Sequence, residues 1–299
     1  MATADTAKST AAQIGPFVEP VHEAKKLESS RHNVYTTLNY YQEPKDGSGP
    51  SPAYIGRPET FQRPSVPLDV VVTDISGNTD KYSLDSHGFQ IYHHESKEKE
   101  FRDDDKIKAE YYPETEQLLK DATGAVRILI FDHTIRRQPP KSGSGPKDQI
   151  ALRGPVRSVH IDQSYEAARQ RVSHHLPDEA DALLHNRFQI INVWRPIKPI
   201  CKDPLAVADA NSVPESDLIP APLIYPNRAG ATLLVKPNPR HRWYFKYAQR
   251  PDEVTLIKCF DSKEEQGLAR RVPHSAFVDP AEEDKEDRES IEVRALVFY

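Results

Sequence analysis

What most limits how this chain can fold is the length of its apolar runs. In the second half they recur at strand length: 126–131, 156–161, 188–197 (FQIINVWRPI), 232–235, 242–247, 254–260 and 290–299. Irregular, proline-bearing stretches separate them, the longest expected at 198–222. A train of short strands joined by loops predicts a mainly β sandwich or barrel. The first half adds one strand at 68–75, LDVVVTDI, and a mixed region opened by DSHGF at 85–89. Helical spacing is confined to 103–122, with Leu118 and Leu119 facing inward, and to a short helix at 178–184 behind Pro177.

The chain of 299 residues carries 26 prolines and only 12 glycines, and 37% of it is hydrophobic. That balance suits a modest core threaded by long connections, such as the surface stretch expected at 43–66 and the SGSGP loop at 142–146. Residues 1–30 read as a polar arm and 31–299 as a single domain, with its β core at about 126–299. The net charge is −5 with both signs dispersed, so no basic stripe marks a nucleic-acid partner. The N-terminal MATADTAKSTAAQIG lacks an apolar signal core, and no apolar run approaches the ~20 residues that span a bilayer. Cys201 and Cys259 stand apart, with no disulfide framework and no zinc-type pair. A cytoplasmic protein is expected, with no membrane partner.

His160 and Asp162 close the strand VRSVHID. Positions i and i+2 on a strand share a face, so both side chains can reach one ion from a rigid edge. A second histidine from another strand would complete a 2-His-1-carboxylate triad, which leaves open positions on Fe(II). His-x-acid pairs are cheap: about two are expected by chance in a chain of this composition. The other one, His93 and Glu95, lies in the charged run YHHESKEKEF and reads as solvated surface. For the third ligand His274, in RVPHSAF, is preferred over His241, which stands between Arg240 and Arg242 and so in positive surroundings. Downstream of His274 come Arg288 and Ser290, a guanidinium and a hydroxyl able to grip a carboxylate; Arg294 is the alternative. Asn192 and Trp194 share one face of their strand and Arg195 takes the other. Either set could touch a substrate.

The order His-x-Asp, His, Arg-x-Ser resembles that of Fe(II)/2-oxoglutarate oxygenases. Longer phrases narrow the likeness: VHIDQSY (159–165), NVWRPIKPICKDPLAVAD (192–209), HRWYF (241–245), PDEVTLIKCFDS (251–262) and PHSAFVDP (273–280) with RESIEVRALVF (288–298). With DSHGFQIYHHESKEKEF and FDHTIRR they resemble the fungal hydroxylase/desaturase family, which includes gibberellin desaturase-like enzymes and resembles a cephamycin methoxylation accessory protein. The resemblance runs over roughly residues 30–299. It implies a double-stranded β-helix, a cupin-like jelly roll with supporting helices and long loops. It implies Fe(II) held by His160, Asp162 and His274, with 2-oxoglutarate on Arg288 and Ser290, and O2 as oxidant. Hydroxylation, desaturation or oxidative ring formation on a small secondary metabolite would follow. An accessory subunit of a methoxylation system, and an iron oxidase that does not use 2-oxoglutarate, are the alternatives. A homodimer stays open.

Overall fold

The computed structural model describes Met1 and residues 32–137 and 154–299. The remainder of the expected N-terminal arm and the SGSGP loop lie outside the described residues. Fourteen strands are present among them: β1 (Val34–Tyr41), β2 (Ala53–Tyr54), β3 (Ser65–Asp74), β4 (Phe89–His93), β5 (Arg127–Arg136), β6 (His160–Ile161), β7 (Phe188–Pro196), β8 (Leu205–Ala208), β9 (Leu218–Ile224), β10 (Ala229–Val235), β11 (Trp243–Phe245), β12 (Glu253–Asp261), β13 (His274–Ala276) and β14 (Ser290–Phe298). Four helices accompany them: α1 (Asp104–Lys106), α2 (Tyr112–Thr123), α3 (Tyr165–His175) and α4 (Ala180–Leu184).

The strands form two sheets, one ordered β1-β3-β11-β8-β13-β6-β10-β9-β2 and the other β4-β12-β7-β14-β5. Side-chain alternation along the five-stranded sheet divides the core. Ile190, Trp194, Ile257, Leu296 and Phe298 join Ile161, Val207 and Trp243 of the nine-stranded sheet in one apolar cluster between the sheets. The intervening Ile191, Val193, Leu256, Val293 and Ala295 face the other way and pack with Ile107, Tyr111, Leu118 and Leu119 of the helical layer. Strands β7 and β12 are therefore buried along their whole length, the mark of a sheet covered on both faces. Two sheets enclosing one core, with the chain passing from β7 in one sheet to β8–β11 in the other, back to β12, over to β13 and back to β14, make the double-stranded β-helix.

The expected helix at 103–122 is broken by a π turn, Ile107–Tyr111, between α1 and α2. Pro113 sits in the first turn of α2. Its ring lacks an N–H and would strike the carbonyl four residues back, so the chain widens there rather than running on as α-helix. Gly124 ends α2 with φ of 72° and donates its N–H to the Lys120 carbonyl.

Two expectations are corrected. The stretch 198–222 is not irregular throughout, because it contains β8 and most of β9. Pro220 and Pro222 are tolerated in β9 because its outer neighbour, β2, is only two residues long. Conversely, 156–161 is barely a strand: β6 is two residues, and Ser158 only bridges to Asn39 of β1.

Gly88 ties the two sheets together near the later site. It has φ of +86°, and a Cβ there would meet Val272 Cγ2 at 2.2 Å, just before β13. Its carbonyl accepts from the Lys258 N–H of β12. Gly88→Ala is expected to cost ~2–4 kcal/mol from left-handed backbone and overpacking together. Thermal unfolding should shift down by roughly 5–12 °C; an unchanged transition would refute this close approach.

Candidate metal and co-substrate site

Strands β6 and β13 pair antiparallel with His274 opposite His160. The sheet thus sets two imidazoles side by side, with ring centroids 4.6 Å apart. Asp162 follows β6 directly. Its Oδ1 lies 3.4 Å from His160 Nε2 and 4.0 Å from His274 Nε2. One ligand atom of each residue falls within 4.8 Å of the others, spacings that a single ion ~2 Å from each donor can bridge.

The surroundings prepare these atoms. His160 Nδ1 lies 2.8 Å from the Ser158 carbonyl and His274 Nδ1 lies 3.2 Å from the Val272 carbonyl. With Nδ1–H donating to backbone, each Nε2 turns its lone pair toward Asp162, the arrangement that orients metal-binding histidines. The second carboxylate oxygen, Asp162 Oδ2, accepts from Asn192 Nδ2 at 2.8 Å and from Arg294 Nε at 2.7 Å. Glu292 closes a ring by accepting from Asn192 at 3.1 Å and from Arg294 Nη2 at 2.7 Å. Arg294 Nη1 also reaches Asp132 Oδ1 at 3.1 Å and Thr134 Oγ1 at 3.0 Å. Burial would raise the Asp162 carboxyl, but the Arg294 guanidinium, together with the protonated forms of the two neighbouring imidazoles, overrides it. The carboxyl is held well below the usual carboxylate range. His274 is pushed down by burial and by its neighbour His160, which favours the neutral, ligating form.

A small cleft opens beside the triad, lined by His160, His274, Trp194, Arg288 and Glu292 among others. Arg288 is 5% exposed. Its Nη1 donates to the Asp203 carbonyl at 2.9 Å, and its guanidinium lies 5.5 Å from the Trp194 ring centroid. Burial, then Arg136, lower its pKa to about 10, so it stays charged at neutral pH. Arg288 Nε, Ser290 Oγ and Trp194 Nε1 are all buried without a hydrogen-bond partner. Buried donors left unpaired are costly, and a carboxylate entering the cleft would satisfy them. The donor set therefore fits both a divalent iron and an anionic co-substrate.

The other sequence candidates fall as follows. Asn192 and Trp194 face the inside of the barrel, but Asn192 is turned to Asp162 and Glu292 rather than to open space. Arg195 is not brought to the site: it lies on the opposite face, where its guanidinium binds the Tyr111 hydroxyl, the His94 and Pro251 carbonyls and His94 Nδ1. His241 sits apart from the triad, bonded to the Tyr40 hydroxyl at 3.1 Å and to Asp217 at 3.0 Å. Arg294, weighed only as a rival grip for a co-substrate, instead braces Asp162. Alternation along β14 puts Ser290, Glu292 and Arg294 on one face, which is the signal that could have paired Arg294 with Asn192, its cross-strand neighbour.

Fold and site together define a mononuclear non-haem iron oxygenase of the double-stranded β-helix class. Comparison with known proteins narrows this. A family model described as "Oxidoreductase/YMDC permease-like domain" matches residues 38–298. No helix of the described residues is long and apolar enough to cross a membrane. The hydroxylase/desaturase efuI of Hormonema carpetanum is 39% identical over 89% of this chain and 95% of its own length. The alpha-ketoglutarate-dependent dioxygenase phiK of a fungal species is 34% identical over 91% of this chain and 99% of its own. Among solved structures, an iron and alpha-ketoglutarate-dependent endoperoxidase, NvfI, superposes with a TM-score of 0.76 at 27% identity, covering 89% of this chain and 98% of that one. The chain belongs to the fungal hydroxylase/desaturase family of Fe(II)/2-oxoglutarate-dependent oxygenases.

Proposed function

We propose that His160, Asp162 and His274 hold one Fe(II), and that Arg288 and Ser290 receive the distal carboxylate of 2-oxoglutarate. The observation that carries this is the meeting, in one cleft, of three donors aimed at a common point with two buried donors that lack partners. When bound, iron with 2-oxoglutarate and O2 supplies the oxidising power to remove hydrogen from an unactivated carbon. The protein's residues arrange the rest. The Ser158 and Val272 carbonyls fix the two imidazoles, and Arg294 and Asn192 occupy one Asp162 oxygen so that the other faces the metal. Trp194 walls the cleft beneath Arg288 and excludes water from that charge.

Residues 31–299 act in this reading as one oxygenase domain of a cytoplasmic enzyme. Its substrate is a small secondary metabolite, which it hydroxylates, desaturates or cyclises. Homodimer assembly is open to light scattering. Succinate release from 2-oxoglutarate by the Fe(II)-loaded protein tests the assignment of the reaction. Succinate formation is expected, and its absence with every candidate substrate would return the site to an oxidase that uses no 2-oxoglutarate.

The brace on Asp162 has its own consequence. Arg294→Gln removes the charge that keeps Asp162 ionised and oriented, and Fe(II) affinity should fall ~10- to 100-fold. Asn192→Ala should cost less, since Arg294 still holds Oδ2. Chelator competition measures both. Wild-type affinity in Arg294→Gln, with native circular dichroism, would show that Asp162 needs no such support.

A further inference from the structure

Helix α3 starts just after Asp162, with Ser164 capping it through the Ala167 N–H. Two turns along, Arg171 is 7% exposed. Its only hydrogen bond among the described residues is a long one, 3.5 Å, to the Tyr225 hydroxyl. The guanidinium is held between aromatic faces, 4.7 Å from the Phe131 centroid and 5.9 Å from that of Tyr225. Arg228, at the turn between β9 and β10, lies 3.4 Å over the other ring contact, Tyr225. Among the described residues no carboxylate comes within ion-pair distance of either arginine. Asp132, the acid whose field reaches Arg171, is already bonded to Arg294. Both arginines line one groove with His174, between α3 and the β9–β10 turn.

Such a cluster is expensive to keep. Two cations converge without an anion, and Arg171 is buried, where an unpaired charge is disfavoured most. His175 records the same field: it stacks on Phe131, its Nε2 is buried without a partner, and burial with the charges of His174, Arg171 and Arg228 pushes its pKa down to about 4. The location is significant. Phe131, under Arg171, is the neighbour of Asp132, and Asp132 is joined through Arg294 to Asp162. At 1.5 Å per residue, Arg171 stands roughly 9 Å along α3 from its first residue, Tyr165, which follows Asp162 by three residues.

We propose that Arg171, assisted by Arg228, binds a carboxylate of the substrate in the groove between α3 and the β9–β10 turn, so that the enzyme acts on organic acids. This rests on the iron-oxygenase reading above for the direction in which the substrate lies. Arg288 serves the co-substrate, so the protein has two separate carboxylate sites.

The test uses para-fluorobenzoate and, as its neutral counterpart, para-fluorobenzyl alcohol, followed by fluorine NMR line broadening on the full-length protein loaded with a redox-inert divalent metal and saturating 2-oxoglutarate, so that the Arg288 site is filled. Wild type should favour the acid by ~10- to 100-fold, the range for a charge-assisted pair. Arg171→Gln should erase that preference, Arg171→Lys should keep part of it, and Arg228→Gln should lose ~3- to 10-fold. Arg228 is partly exposed on a turn, so its variant keeps the test valid if Arg171→Gln fails to fold. Arg288→Ala should leave the preference intact. Equal binding of acid and alcohol to wild type, an undiminished preference in Arg171→Gln or in Arg228→Gln, or a preference lost in Arg288→Ala would each overturn the proposal. The visible band of the Fe(II)/2-oxoglutarate complex, measured on the same proteins, separates the two levels. If the band forms but acid preference is absent, the substrate site alone fails. If the band never forms in wild type, the underlying reading fails.

Discussion

Asp162→Asn, Asp162→Ala and His160→Ala should each give folded protein that retains no Fe(II) at concentrations that saturate wild type. Each removes one of three protein donors, and the affinity lost should be roughly 4 kcal/mol or more, at least ~1000-fold. Asp162→Asn is the sharper variant, because it keeps the shape beside Arg294 while removing the charge that Fe(II) requires. Asp162→Ala strips Arg294 of one acceptor, although Asp132 and Glu292 still hold that guanidinium. His241→Ala is the contrast. It loses contacts to Tyr40 and Asp217 and should destabilise the fold by ~1–3 kcal/mol, yet bind iron as wild type does. Iron retained at full stoichiometry in His160→Ala, or lost in His241→Ala, would displace the triad.

The second large effect belongs to Arg288. Arg288→Ala should weaken 2-oxoglutarate binding by ~30- to 1000-fold, or ~2–4 kcal/mol, while Fe(II) affinity stays close to wild type. The cause is burial: within a closed barrel the distal carboxylate has no water to turn to once the guanidinium is gone. Ser290→Ala removes one neutral hydrogen bond and should cost about 1 kcal/mol. Isothermal titration with a redox-inert metal in place of iron reads both. A variant Arg288→Ala that binds 2-oxoglutarate normally would move the carboxylate elsewhere, and loss in Arg294→Lys with native metal affinity would point to Arg294.

The site was more legible in the sequence than its supports. Two proposed ligands separated by one residue at a strand end leave a local pattern, and the strand period places them on one face. His274 is different: β13 is three residues long, too short for any periodicity, and its pairing with β6 depends on a fold that closes over more than a hundred residues. Its signal in the sequence is indirect: Arg240 and Arg242 disfavour the rival His241, and Arg288 and Ser290 follow His274 downstream. Helix α3 carries a signal in the sequence, Ser164 at the cap followed by Ala167, Ala168, Arg171 and Val172 at helical intervals. Strand β1, VYTTLNYY, shows no clean alternation in the sequence because Thr36 interrupts the inward positions Val34 and Leu38, and tyrosines stand on both faces. The choice among Asn192, Trp194 and Arg195 needed the second sheet. Periodicity separates the two faces but does not say which one meets Asp162 and which the Tyr111 layer. Tertiary partners, not local propensity, decide such roles.

The proposed function requires one cleft of this chain to assemble iron and 2-oxoglutarate on His160, Asp162, His274 and Arg288. Anaerobic titration of Fe(II) into the wild-type protein with 2-oxoglutarate, followed by visible absorption, tests it most directly. The expected result is a charge-transfer band that saturates at one iron per chain, is absent in Asp162→Asn, and needs far more 2-oxoglutarate in Arg288→Ala. A band of undiminished intensity in Asp162→Asn, or none in wild type, would contradict it.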